Sequence, residues 1–174
     1  MTLAHFRIAA LLALVLVFPL VVSAQVDETI PADDTEEAAA PMRAPGTMNP
    51  APADPTLKPV FEQFGGRKGL TALMDDFMVR LLADARLKVF FENANQTQIK
   101  AHLVEQFCVI LGGPCSYSGR DMKTTHADLG INRAQFDALV EDLQVAMDMH
   151  HIPFRAQNQL LAKLAPMHRE IETR

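Results

Sequence analysis

Leu70-Thr-Ala-Leu-Met-Asp-Asp-Phe-Met-Val-Arg-Leu-Leu82 is the stretch that decides the fold class. Leu70, Leu73, Met74, Phe77, Met78, Leu81 and Leu82 recur at the i, i+3, i+4, i+7 spacing of one helical face, where a half-buried strand would alternate every second residue. Just upstream, Gly65-Gly66 allows a tight turn that most side chains forbid. Downstream, Ala85–Phe91 is a short apolar segment ending in Phe90-Phe91. A second long helix is predicted from about Gln96, with Ile99, Leu103, Phe107, Ile110 and Leu111 on one side, and Gly112-Gly113-Pro114 ends it. Asp121–Asp128 reads as a short helix stopped by Gly130. A third long helix starts at Asn132, a good cap, and turns Phe136, Leu139, Val140, Leu143 and Met147 inward. After a break at Pro153, a fourth carries Leu160, Leu161, Leu164 and Met167. Strand alternation, internal repeats and glycine-rich phosphate loops are all missing from the sequence. The expected class is all-α.

Toward the N-terminus the composition changes twice. Met1–Arg7 carries one positive charge, Ile8–Val22 is an apolar run containing Pro19, and Val22-Ser23-Ala24 places small residues where a signal peptidase cuts. Residues 1–24 are therefore expected to be a signal peptide directing export to the periplasm. An uncleaved anchor is the competing reading, although the run falls short of the ~20 residues a spanning helix needs. Residues 25–55 hold seven acids against Arg43 alone, with many Pro and Ala, and are expected to form a disordered acidic tether. One domain is then left at 56–174, with 14 acids balanced by 14 bases. A near-neutral domain argues against nucleic acid or an anionic membrane surface as partner. Once the leader is cleaved, no segment is expected to insert stably in a membrane.

Chemistry enters through the histidines. Of the six, His5 belongs to the leader, and His150 and His151 sit at a helix end where a solvated role suits the dipole. His102 lies beside Leu103 on the apolar face of its helix, His126 is four residues after Met122, and His168 is four after Leu164. A single inward histidine is usually a hydrogen-bonded core residue. Several on separate elements all need partners for their ring nitrogens, and a metal or haem iron would supply one. Zinc fits poorly, because Cys108 lies about a third of a turn around the helix from His102. Long Met- and Phe-lined helices suit a flat hydrophobic cofactor better.

The order Phe64-Gly65-Gly66, Asp75-Asp76-Phe77-Met78-Val79-Arg80-Leu81-Leu82-Ala83-Asp84, Phe90-Phe91, Gly112-Gly113-Pro114, Tyr117-Ser118-Gly119 and Met122-Lys123-Thr124-Thr125-His126 resembles a group I truncated haemoglobin over Val60 to Met167. The resemblance implies a two-over-two helical sandwich clasping haem b, with most of the proximal helix reduced to a loop and a short turn. His126 matches the proximal iron ligand. Phe91 matches the phenylalanine that packs flat on haem, Phe77 and Phe107 match other wall positions, and the motifs place Tyr117 and Met122 at the same pocket.

On the distal side the chain departs from the commonest pattern. Met78 stands where many members carry a tyrosine that donates to oxygen, and Ile99 and Leu103 fill two further positions without a donor. His102 is the donor that remains. Its place in the family is taken either by a second iron ligand or by a propionate partner, and both readings stay open. Arg120 and Lys123 flank His126 as propionate partners or as a solvated face. His168 follows Ala165-Pro166, where some relatives with bis-histidyl haem bond covalently to a vinyl group. Cys108 and Cys115 either form a bridge, if the turn brings their α-carbons within about 7 Å, or Cys108 is a small core residue.

The resemblance implies O2, NO or CO as ligands, and a monomer. Three functional classes follow: reversible ligand binding, redox chemistry on nitric oxide or peroxide fed by an unknown reductase, and haem-based sensing. An exported helical domain without cofactor is the fallback.

Overall fold

In the computed structural model, which describes residues 46–174, α2 (Gly66–Ala83) buries Leu70, Leu73, Met74, Phe77, Met78 and Leu81. These are the positions the spacing predicts, and Leu82 lies half-buried at the edge of the stripe. The expected signal peptide and residues 25–45 of the expected tether lie outside the described residues. Among the described residues there are seven further α-helices, α1 (Lys58–Gln63), α3 (Lys88–Phe91), α4 (Gln96–Ile110), α5 (Met122–His126), α6 (Arg133–Met149), α7 (Phe154–Leu164) and α8 (His168–Ile171), and two 3-10 turns at Pro55–Leu57 and Ala165–Met167. Among the described residues there is no strand, and no helix is long and apolar enough to cross a membrane.

Four of these helices are long, as expected, and they pack in two layers. α2 packs mainly on α4 and then on α6, while α7 packs on both α4 and α6. Local chemistry fixes where they start. Asn95 accepts from the Gln98 amide at 3.1 Å, and Asp121 from the Thr124 amide at 2.8 Å. Asn132 and Gln135 form a reciprocal capping box, each side chain bonding the other's backbone N–H at 3.0 Å. Gly65 caps α2 with a left-handed φ of 74°, consistent with the turn expected there.

Gly69 was not marked by the sequence pattern, yet its position is the more constrained. A Cβ there would lie 1.9 Å from the Phe64 carbonyl oxygen, so α1 can turn into α2 only over a bare α-carbon. Gly113 is similar, since a Cβ would come 2.7 Å from Cys108 Sγ and 2.8 Å from the Phe61 ring. Beside it the Cys108–Cys115 disulfide is formed, with α-carbons 5.9 Å apart. It fastens the end of α4 to the start of the loop that leads to α5.

Two expectations need revision. The last residues of the expected tether lie along the domain: Pro50 accepts from Gln106 Nε2 at 2.6 Å, Lys163 Nζ pairs with Asp54 at 2.8 Å, and the Met48 amide donates to the Glu170 carboxylate. The domain boundary therefore falls before Thr56. Polarity concealed it, because backbone groups and an ion pair make most of these contacts, though Ala51 is buried. His150 is also more than a solvated helix end, since its Nε2 lies 2.7 Å from Asp76 Oδ2 and joins the end of α6 to α2.

Replacing Gly69 with Ala should destabilise the domain by about 2–3 kcal/mol, measured by urea unfolding, because the clash is with backbone that cannot step aside. A second outcome concerns the Asp54 clamp. The Lys163 ammonium and then the Thr56 hydroxyl hold the Asp54 carboxyl at about 2, below its ordinary 3.8. A depressed carboxyl stabilises the folded state above its unfolded value, and this is lost as pH falls from about 4 to about 2. Replacing Lys163 with Met should therefore speed amide exchange in residues 48–54 relative to α2 at pH 7, and the difference should shrink steeply as pH falls to 2.

Candidate cofactor site

Between the helical layers lies a cavity of about 690 Å³, within the range of small-molecule and cofactor sites. α2 contributes Phe77 and Leu81, α4 contributes Ile99, His102, Leu103, Gln106 and Phe107, and α3 contributes Phe90 and Phe91. α6 and α7 add Phe136, Leu139, Val140, Leu143, Leu161 and Leu164. The loop after α4 supplies Tyr117 and Arg120, and α5 supplies Met122 and His126.

Ten residues predicted for the site thus come together on this wall: Phe77, Phe91, Ile99, His102, Leu103, Phe107, Tyr117, Arg120, Met122 and His126. Three do not. Met78 is 4 % exposed within the core but is not a wall residue. Lys123 is exposed and away from the cavity. His168 sits one layer back, with its ring centroid 6.1 Å from that of the wall residue Phe136 and its Nδ1 2.7 Å from the Ala165 carbonyl.

His126 is half-buried, and its Nδ1 lies 2.7 Å from the Met122 carbonyl oxygen. A carbonyl can only accept, so Nδ1 carries the proton and Nε2 keeps its lone pair. Burial pushes this imidazole below its ordinary range, and the bond to Met122 opposes that only in part. A neutral ring with a free Nε2 is what a metal ligand requires.

His102 enters from α4. Its Nδ1 is buried without a hydrogen-bond partner, and Glu105 Oε2 stands 3.6 Å away. The ring meets Tyr117 edge-on, with centroids 6.2 Å apart. Glu105 Oε2 also accepts from the Ser118 amide at 3.0 Å and from the Ser118 hydroxyl at 2.7 Å. Burial pushes the Glu105 carboxyl up, but the Ser118 bonds and His102 outweigh this and hold it below the usual carboxylate range.

The other polar wall groups are largely occupied. Gln106, 5 % exposed, gives its amide to Pro50, and the Tyr117 hydroxyl donates to the Arg120 carbonyl at 2.9 Å. Thr125 Oγ1 donates to the Asp121 carbonyl at 2.8 Å. Sequence reasoning missed Gln106 and Glu105. Gln106 carried a usable signal, since it follows Ile99 by seven residues and Leu103 by three, on the apolar face of α4. Glu105 carried only its spacing of three from His102. Two imidazoles in an apolar enclosure, one with a buried nitrogen still unpaired, fit an iron porphyrin held by side-chain nitrogen.

Comparison with known proteins agrees. The family model for bacterial-like globins matches residues 59–173. A group 1 truncated haemoglobin of Mycolicibacterium paratuberculosis is 33 % identical over 114 residues, spanning 66 % of this chain and 84 % of that protein. One from Synechocystis is 30 % identical over 113 residues, spanning 63 % and 88 %. The fold matches the crystal structure of a Tetrahymena pyriformis truncated haemoglobin in its Fe(III) form, with a TM-score of 0.63 and 23 % identity over 66 % of this chain and 98 % of that one. It also matches a Synechococcus 2/2 haemoglobin solved in the cyanomet state with covalently attached haem, at a TM-score of 0.62, 23 % identity and the same coverage. The two-layer helical packing and the family match across residues 59–173 therefore place this chain among the group I truncated haemoglobins, a globin family that binds haem and diatomic gas ligands.

Proposed function

We propose that the cavity holds haem b, with His126 Nε2 as the iron ligand and His102 as a displaceable second ligand. The observation that carries this reading is the His126–Met122 bond, which commits one ring nitrogen and leaves the other free on the cavity wall. When bound, haem supplies an iron centre that takes O2, NO or CO and changes oxidation state. The chain's part is to hold that iron in an apolar enclosure and to decide what competes for it.

Arg120, exposed at the cavity wall, is the propionate partner in this reading, and Lys123 is assigned none. His168 holds the family's place for a covalent bond to a haem vinyl group, but its ring stands behind the wall residue Phe136 and off the cavity wall, so that bond is not part of this reading.

A second reading, redox chemistry on nitric oxide or peroxide with an external reductase, is favoured by the polar groups of the wall. Gln106 and Tyr117 already donate to backbone carbonyls, so a ligand that needs a hydrogen-bond donor finds few on this wall. A site poor in donors suits oxygen storage less well than electron transfer to an iron that two imidazoles would hold. A sensor role is the third alternative, and the chain is read as a monomer in each case. Export to the periplasm through residues 1–24 is supported by the Cys108–Cys115 bridge, a bond that persists in oxidising compartments.

Replacing His126 with Gly should abolish the Soret band of protein purified from haem-replete cells, or make it depend on added imidazole. A band indistinguishable from wild type would refute the assignment. The ferric wild type is expected to be low-spin at neutral pH and high-spin after His102→Ala. The His126 imidazole titrates below its ordinary 6.5, so protons compete with iron only at lower pH. Haemin affinity of the apoprotein should stay level from pH 8 through 6.5 and fall only below that value, as followed by absorbance titration.

A further inference from the structure

His126 and His102 reach the cavity from different helices, and their Nδ1 atoms differ in one respect. His126 Nδ1 is satisfied by a carbonyl at 2.7 Å, whereas His102 Nδ1 is buried with no hydrogen bond. A buried ring nitrogen in that position is costly unless an acceptor takes its proton. The acceptor at hand is Glu105 Oε2, 3.6 Å away and one turn along α4.

Glu105 is not a loose surface carboxylate. Its side chain is 21 % exposed, and Ser118 grips it through both amide and hydroxyl. A carboxylate offers about four lone-pair sites, so the Ser118 bonds leave capacity for a donor from His102. A small rotation of the imidazole would convert the 3.6 Å approach into a bond. With Nδ1–H given to Glu105, the lone pair resides on Nε2, the nitrogen left for the cavity. A charged acceptor also makes that nitrogen more basic than a carbonyl would, as in carboxylate–histidine–metal arrangements.

We propose that Glu105 is the positioning residue for His102, fixing the ring in the tautomer that presents Nε2 to the cavity and strengthening it as an iron ligand. This rests on the haem reading of the cavity and adds to it a reason why His102 competes with exogenous ligands. Glu105 touches neither haem nor ligand in this scheme and acts only through the imidazole.

The test uses full-length haem-loaded protein and the apparent affinity of ferric iron for cyanide, which competes with His102. Glu105→Gln should raise that affinity about tenfold, the lower end of what loss of such a partner costs a metal ligand. The gain should vanish when Glu105→Gln is made in the His102→Ala background, because the two changes act through one interaction. Ser118→Ala removes a grip on the loop but not the charge, and should leave cyanide affinity within twofold of wild type. An equal gain in the His102→Ala background would overturn the proposal, as would a Ser118→Ala effect matching that of Glu105→Gln, since either would assign Glu105 to loop structure alone. Lower cyanide affinity in Glu105→Gln would also overturn it, by showing that the carboxylate holds His102 off the iron. If His102→Ala itself left cyanide affinity and the ferric spectrum unchanged, the reading of His102 as a ligand would fall, and Glu105 with it, while His126→Gly would still report separately on haem binding.

Discussion

The hydrogen bond from His126 Nδ1 to the Met122 carbonyl is the constraint on which the site depends. It spans one turn of a helix only five residues long, too short to persist without tertiary support. That helix is therefore held at its start and by a neighbouring helix. Asp121 caps its start, and α8 packs against it. The side-chain direction of one histidine is thus set by a cap, a carbonyl and a neighbouring helix, each weak alone. Where most of a longer helix would have fixed the ring by sheer length, this chain uses local fastening.

The same economy governs the loop before α5. The disulfide anchors its beginning to the last turn of α4, Glu105 grips Ser118 from the middle of α4, and the Tyr117 hydroxyl closes on the Arg120 carbonyl. Gly119 permits that closure, because a Cβ there would lie 2.3 Å from the Tyr117 hydroxyl. All of these ties but the last lead back to α4, which also carries His102, Leu103 and Phe107. The helix on one side of the cavity thereby positions the segment that delivers His126, and errors in one are transmitted to the other. Closing an eight-residue loop by a disulfide contributes about 2–3 kcal/mol on chain-entropy grounds, which is a large share of the stability of a domain this size.

The parts of this arrangement that could be read from the sequence are those with periodicity or punctuation. The apolar stripes of α2, α4, α6 and α7, the cap at Asn132 and the stop at Gly112-Gly113-Pro114 all follow from local rules. The pairing of His126 with the family's proximal position needed the motif, because one histidine on a short polar helix carries no periodic signal. Gly69 could not be singled out, since a glycine inside a helix looks like a mere weakness until the Phe64 carbonyl is placed against it. Met78 is a different case. Its motif position implied the cavity wall, but the rotation of α2 turns Phe77 to the cavity and Met78 into the core between helices. A one-residue step on a helix is about 100°, and no sequence pattern resolves that when both neighbours are apolar.

Gln106 shows how far the cavity's chemistry is set from outside it. The residue stands on the same face of α4 as Ile99 and Leu103, where an amide with no partner would either penalise the apolar wall or donate to whatever the cavity holds. Neither occurs, because Pro50 reaches over from the N-terminal segment and accepts one amide proton at 2.6 Å, while the sulfurs of Met167 and Met122 lie 3.7 and 4.0 Å from the same nitrogen. That segment is itself retained by the Asp54–Lys163 pair and by Glu170. Composition marks residues 25–55 as a disordered acidic tether, yet the Pro50 carbonyl occupies a hydrogen-bond donor of the wall. With Gln106 and Tyr117 both drawn away, the balance among competing ligands falls to His102, and the polarity of the site becomes a property of how α4 is clasped by the chain that precedes the first helix.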